Sequence, residues 1–503
     1  MKKALLFLLV IAALQGHASA CDGEFHPETG QQWNGWGAGV TNARHQQDSG
    51  ITAAQVPNLQ LKWAFGFPEA RSVIGQPSVI GGRVFIGVDT GHVYALEAAD
   101  GCVAWDYKAG AGVRTAITVA RVSPTRFAAF FGDLSGMVYA VDATTGTELW
   151  KTRADTHPAA RITGAPQFFE NRLYVPVASG EEGAGSSANY ACCTFRGSVV
   201  AIEAQSGRLI WKTYVIEEEP KQTGAAANGT PRMGPSGAGI WSAPTIDAKR
   251  RSIYVGTGDA YSEPADKATD AIVALDLDSG KIRWIAQDTA NDVWISACMR
   301  PNKPENCGPD HDFGSPPMMK TLADGRDILI AGQKSGNVWA HDPDTGKTLW
   351  RSPLVANTEE FGGKIVWGGA SDNDKGYFGL GPGGIGAIRL RDGERVWFSD
   401  IVPAKGMETH PGHEGPLTAI PGVVFSGGWD GMVRALNTSD GKLIWSFNTA
   451  RDFETSNGVP AKGGSMGAAG PVAAGGMLLV PSGYVGVRNG AGGNVLLAFG
   501  VQQ

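Results

Sequence analysis

The chain lacks the signatures of several common chemistries. No Gly-x-x-x-x-Gly-Lys-Ser/Thr loop occurs and no Gly-x-Gly-x-x-Gly stands in a strand–helix–strand context, so nucleotide cofactors are not expected. Cys-x-x-Cys-His is absent, which excludes a c-type haem attached through that motif. Charged residues make up 18% of the sequence, the net charge is −6 and no basic run stands out, which speaks against nucleic acid as a partner. Beyond the first twenty residues no apolar run approaches the roughly 20 residues that a membrane-spanning helix requires.

Residues 1–20 read as a signal peptide. Lys2 and Lys3 precede the apolar run "ALLFLLVIAAL", and "ASA" at 18–20 offers a small-residue cleavage site. The mature chain would begin at Cys21 and be exported, without a membrane span, into an oxidising compartment. Lipid attachment at Cys21 is a lesser alternative, because Ala18 is not the large apolar residue usual at that position. All six cysteines lie in the mature chain, and an even number in an exported protein favours disulfides. Cys298 and Cys307 flank "MRPNKPEN" and would staple a loop, leaving Cys21 with Cys102 and Cys192 with Cys193. Adjacent cysteines either stay reduced or close a ring that has a task, and the spacing alone leaves both open.

What the sequence has in abundance is glycine (71), tryptophan (15) and a repeat. "ALEAADGCVAW", "AVDATTGTELW", "AIEAQSGRLIW", "ALDLDSGKIRW", "AHDPDTGKTLW", "AIRLRDGERVW" and "ALNTSDGKLIW" end at Trp105, Trp150, Trp211, Trp284, Trp350, Trp397 and Trp445. Each has Ala at the front, Gly before the second half and Trp at the end. This is strand, tight turn, strand, with glycine supplying a positive φ at the turn and Trp able to cap the neighbouring unit. Short strands recurring about every 45 residues are the mark of a β-propeller. The C-terminal "NVLLAFG" matches the front half of an eighth motif, and "LQLKWAF" around Trp63 matches the back half. The expected fold is therefore all-β: one eight-bladed propeller over residues 21–503, with an N-terminal strand completing the last blade. Closure of the ring removes exposed strand edges. The spacing between motif tryptophans rises to 61, 73 and 66 residues before Trp211, Trp284 and Trp350. Those insertions place long loops on consecutive blades, where function tends to sit.

The tryptophan-docking repeat, with "WNGWGAGVTNARHQ", "YACCTFRGSVVAIEA" and "CGPDHDFGSPP", resembles the quinoprotein alcohol dehydrogenases, propellers that bind pyrroloquinoline quinone (PQQ). Within them it is most similar to polyvinyl alcohol dehydrogenases. The resemblance implies that Cys192 and Cys193 form a vicinal disulfide against one face of the quinone and that Trp241, in "GIWSAPTIDAKRRSIYVGTGD", is the floor under the other. Arg114, Thr163, Ser179 and Gly180 would contact the cofactor, and Lys334 in "GQKSG" would stand near the quinone oxygens, where a cation stabilises charge developing on reduction. Glu182 (rather than Glu181), Asp259, Asp310 and Asp312 would hold a hard cation through oxygen. In "DHD", alternate residues of an extended segment point the same way, so Asp310 and Asp312 can face one ion. Asp310 is also the implied catalytic base. Ca2+ is the default ion, and a lanthanide is the alternative that the second aspartate raises.

The resemblance further implies oxidation of an alcohol, such as a secondary alcohol of polyvinyl alcohol, in the periplasm, with electrons passing to a separate cytochrome c. A propeller of the same repeat that only scaffolds other envelope proteins is the competing expectation, but it would have no reason to carry the acids and the cysteine pair. His410 and His413 in "ETHPGHEGP" read as a loop near the propeller face rather than a metal pair.

Overall fold

A computed structural model describes residues 21, 23–301, 303–354, 364–401, 412–486 and 490–501. The proposed signal peptide and His410 lie outside these residues. Eight antiparallel sheets, each with a four-strand run, follow one another round a ring. Seven are built from consecutive segments, the first from Ser78–Ile80, Arg83–Gly87, His92–Glu97 and Val103–Lys108. The eighth is composite: Val472–Ala474, Met477–Ser482 and Val495–Gly500 are completed by Gln60–Gly66 from the start of the chain. Trp63 stands opposite Ala498. That is the register of Ala95 opposite Trp105 and Ala140 opposite Trp150, so the two half-motifs combine into a whole one.

The repeat explains how the blades lock. Each motif glycine from Gly101 to Gly441 has a φ between +69 and +76°, and a Cβ there would stand 2.6–2.9 Å from the Trp of the preceding blade. Only glycine allows both the turn and the ring laid on it. The indole N–H then donates to a carbonyl of that next blade: Trp63 to Ala98, Trp105 to Ala143, Trp150 to Ala204, Trp284 to Pro343, Trp350 to Leu390 and Trp397 to Thr438. Trp445 donates to Leu59 across the closure (3.3 Å). Each such bond contributes on the order of 1 kcal/mol net. Trp211 differs: its N–H has no partner, and the carbonyl of Leu277 accepts the Tyr174 hydroxyl instead (3.2 Å).

The segment 33–46 touches the innermost strand of every blade or the residue just before it. Trp33 pairs with Val79, the Asn34 amide bonds Val119, and the Asn42 side chain accepts from Gln167. Val40, Thr41 and Ala43 offer carbonyls to Ile246, Met319 and Ser371, and Gln46 N–H donates to Ala419. Arg44, fully buried, donates to the carbonyls of Leu417 and Pro471. This segment pins the inner ends of the sheets, from which the functional cavity is built.

The three disulfides are Cys21–Cys102, Cys192–Cys193 and Cys298–Cys307. With its sulfur joined to Cys102, Cys21 has no thiol left for lipid attachment. No described helix is long and apolar enough to cross a membrane.

Candidate active site

A cavity of about 650 Å³ opens where loops following several inner strands converge. Arg114, Thr163, Ser179, Glu182, Trp241, Asp259, Asp310, Asp312 and Lys334 all line it. Seven segments that are remote in sequence thus deliver nine of the twelve expected site residues to one place.

Trp241 presents a flat indole. The ring passes so close to Gly314 that a Cβ there would lie 2.1 Å from Cη2, and the Cβ of a residue at 258 would lie 3.4 Å from Nε1. Thr163 Oγ1 donates to the Trp241 carbonyl (3.2 Å), and Trp367 meets the indole edge-on at 5.1 Å. The Arg114 guanidinium lies 4.2 Å from the Trp367 ring centroid, a cation–π contact that holds one positive charge at the wall. Lys334 Nζ lies over the Trp241 and Trp294 rings at 5.4 and 5.7 Å.

The acids gather around that ammonium. Lys334 Nζ donates to Asp310 Oδ1 at 2.5 Å and stands 2.7 Å from Asp312 Oδ2. Asp312 Oδ1 accepts the Asp259 backbone N–H at 2.7 Å. One carboxylate oxygen each from Asp259, Asp310 and Asp312 lies within 4.8 Å of the others. Asp310 and Asp312 do face one shared site, but not by the alternation of an extended segment: Asp310 has a left-handed φ of 62°, which aspartate tolerates better than most residues. The Cys298–Cys307 disulfide ties the turn Ser296–Met299, whose ends line the cavity, to the chain that leads into Asp310.

Burial dominates the electrostatics. It pushes the Asp310 carboxyl up to about 7, with Lys334 opposing and Asp312 adding. Asp259 is raised well above the usual carboxylate range, by burial and then by Asp312, Asp270 and Asp310. Glu182 is raised by burial against the pull of Lys334. Burial disfavours the Lys334 ammonium, but Asp310, Asp312, Asp259 and Glu182 outweigh it and hold its pKa well above the lysine range. Asp259 Oδ1 has no hydrogen-bond partner. Buried carboxylates with an orphaned oxygen, beside a flat indole and fixed cations, fit a metal ion and a planar polyanion.

Three expected residues lie elsewhere. Gly180 is not on the cavity wall; it lies under the Arg161 side chain, whose Nη2 would be 2.5 Å from a Cβ at that position. Cys192 lines a second cleft, of about 1140 Å³, and Cys193 packs fully buried among Val177, Phe195 and Tyr261. Tyr261 lines both cavities, and neither cysteine is among the residues that line the cavity of Trp241. The thirteen residues between the Glu182 helix and the strand at Ser198 carry the pair away from it. The same region distinguishes the two glutamates: Glu181 accepts the N–H groups of Thr194 and Phe195 and the Tyr190 hydroxyl, which leaves Glu182 to face the cavity and Ser296. Sequence reasoning missed Arg161, Trp294, Trp367, Glu414, Trp429 and Tyr484 on the same walls. It placed His413 correctly in a loop: the ring is buried against Ser426 and its neighbour Glu414 reaches the cavity.

Residues 33–296 match the family profile described as the glucose/ethanol/alcohol dehydrogenase β-propeller domain with PQQ, just over half of the chain. A polyvinylalcohol dehydrogenase of a Pseudomonas species is 43% identical, over 96% of this chain and 79% of that protein. The chain belongs to the PQQ-dependent dehydrogenase β-propeller family. A second member, the polyvinylalcohol dehydrogenase of a Sphingopyxis strain, is 38% identical over 93% of this chain and 76% of its own length. Among solved structures, a europium-containing methanol dehydrogenase has a similar fold, with a TM-score of 0.69 at 20% identity over 94% of this chain and 99% of that one. Residues 381–499 also match the profile of the outer membrane protein assembly factor BamB. Family membership implies PQQ and a metal ion. Arg114, Trp241 and Lys334 fit the first, and Asp259, Asp310 and Asp312 fit the second.

Proposed function

We propose that this chain is a periplasmic PQQ-dependent alcohol dehydrogenase that oxidises secondary alcohols, including those of polyvinyl alcohol, to ketones. The observation that carries the reading is the placement of Asp310 beside Lys334 and Asp312 in the cavity walled by Trp241. The kinship with two polyvinylalcohol dehydrogenases supports the substrate class.

Bound PQQ supplies the acceptor for the hydride of the carbinol carbon, and a cation beside it supplies Lewis acidity. The chain's own residues do the rest. Trp241 gives a planar floor, while Arg114 and Arg161 put positive charge where cofactor carboxylates would lie. Asp259, Asp310, Asp312 and, at the cavity wall, Glu182 would hold the cation, with Ca2+ our first assignment and a lanthanide the second. Asp310 Oδ1 is engaged by Lys334, so Oδ2 is the oxygen that takes the hydroxyl proton of the alcohol. Lys334 keeps its charge and offsets negative charge developing at the reduced ring. A separate cytochrome c would take the electrons.

The test is dye-linked turnover of Asp310→Asn, loaded with PQQ and Ca2+, on a small secondary alcohol and on polyvinyl alcohol. Loss of a general base predicts a fall of about 10²–10⁴-fold. Full turnover would remove Asp310 from this role.

A further inference from the structure

Beside the first group of carboxylates lies a second. Asp259, Asp270 and Asp292 each offer one oxygen within 4.8 Å of the other two. Asp270 is fully buried and neither of its oxygens has a hydrogen-bond partner. Asp259 Oδ1 is likewise alone. Asp292 accepts the backbone N–H groups of Asp310 (3.2 Å) and His311 (2.8 Å), one on each oxygen, which leaves each a further lone pair. Backbone bonds hold the three in place: Asp270 N–H donates to Gly258 and Ala260 N–H to Asp292, both at 3.1 Å. Residue 308 must be glycine, because a Cβ there would lie 2.1 Å from Asp292 Oδ1.

We propose that Asp259, Asp270 and Asp292 hold a second hard cation next to the first, with Asp259 shared between the two. Five buried aspartates (Asp259, Asp270, Asp292, Asp310 and Asp312) crowd together, with Lys334 paired to Asp310 and Asp312 and the half-buried Glu182 next to Arg161. One divalent ion at Asp310 and Asp312 leaves Asp270 and Asp292 without a cation, and burying unpaired carboxylates is strongly disfavoured. The donor set is oxygen only, which selects a hard ion. Oxygens spread over as much as 4.8 Å suit metal–oxygen bonds of about 2.3–2.6 Å, the range of Ca2+, better than the 2.0–2.1 Å of Mg2+. The rival occupant is a proton shared between Asp259 and Asp270, which would satisfy one oxygen of each without any metal.

The inference relies on the proposed function only for calling the Asp310–Asp312 ion the first. The test strips the purified protein with chelator, refills it with CaCl2 or in parallel with LaCl3, removes the excess by gel filtration and counts bound metal by mass spectrometry. Two equivalents of either ion in the wild type and one in Asp270→Asn, with PQQ affinity retained, are expected. One equivalent in the wild type assigns the second position to the proton and overturns the proposal. Two equivalents in Asp270→Asn also overturn it, since the second ion would then lie elsewhere. No bound metal in either overturns it together with the cation role in the proposed function, whereas a single wild-type equivalent leaves that role standing. If Asp270→Asn does not melt cooperatively, the wild-type count alone decides.

Discussion

Replacing Gly314 with alanine would put a methyl carbon 2.1 Å from Cη2 and 2.4 Å from Cζ2 of Trp241. Carbon atoms pack at about 3.5–4.0 Å, so the indole must retreat by roughly 1.5 Å. The methyl cannot yield in the other direction, where the Val366 carbonyl would stand 2.6 Å away. Overpacking of this kind costs about 1–3 kcal/mol of stability. The larger effect falls on function. A floor displaced by more than 1 Å misplaces whatever it carries, and misplacements of that size lower turnover by about 10²-fold. Loss of the aromatic stack, worth about 0.5–1.5 kcal/mol, weakens PQQ binding by roughly 2–10-fold. The assay is PQQ titration followed by dye-linked turnover. The control is Gly346→Ala, whose Cβ would lie 2.6 Å from Trp284 Cε3 at a φ of +73°, in a blade joint away from the cavity. It should lower the melting temperature and leave PQQ affinity unchanged. A Gly314→Ala protein with unaltered affinity and turnover would refute the assignment of Trp241 as the floor.

Because neither Cys192 nor Cys193 lines the Trp241 cavity, the double variant Cys192→Ser/Cys193→Ser should bind PQQ within a few-fold of wild type; a hundredfold loss in calorimetry would return the pair to the cofactor. Asp310→Asn should retain PQQ binding while turnover falls, a split that a merely structural carboxylate would not produce. His413 is held neutral in the fold, its pKa lowered by burial from 6.5 to about 3, with Arg434 adding to the shift. The unfolded chain takes up a proton below about pH 6.5 and the folded one does not, so this residue makes stability fall as pH drops from about 6.5 towards 3. Between pH 6.5 and 5 the stability of wild type relative to His413→Gln should decrease by about 2 kcal/mol in urea unfolding; a pH-independent difference would contradict the buried neutral state.

The ring could be read from the chain because its joints are local. Ala, Gly and Trp stand at fixed offsets, and the same three residues set the strand register, the turn and the contact to the next blade. Even the closure was visible, in a half-motif at each end around Trp63 and Ala498. The acids were legible for a similar reason: "GTGD" and "DHDFG" are short segments whose own backbone aims Asp259, Asp310 and Asp312. Legibility failed where position depends on an insertion or on several blades at once. Two adjacent cysteines say that a small ring forms, not where it lies, and the long loop after Glu182 brings Cys192 to the wall of the neighbouring cleft. Asp270 follows an irregular loop at the start of the strand Ala271–Asp276, and nothing in "KATDAIVALD" sets it apart from a surface acid. Trp367, Trp429 and Tyr484 form a chain of ring contacts near the end of the sequence, and Trp367 meets Arg114 only because the ring closes. The pinning role of residues 33–46 was hidden too, since contacts to eight separate strands leave no periodic trace.

The central claim, that this cavity binds PQQ with a metal ion, is tested most directly by calorimetric titration of metal-free protein with PQQ, with and without Ca2+ or La3+. The account predicts saturation near one equivalent of PQQ, with affinity that depends on the added cation. Absence of PQQ binding under every cation condition would contradict it.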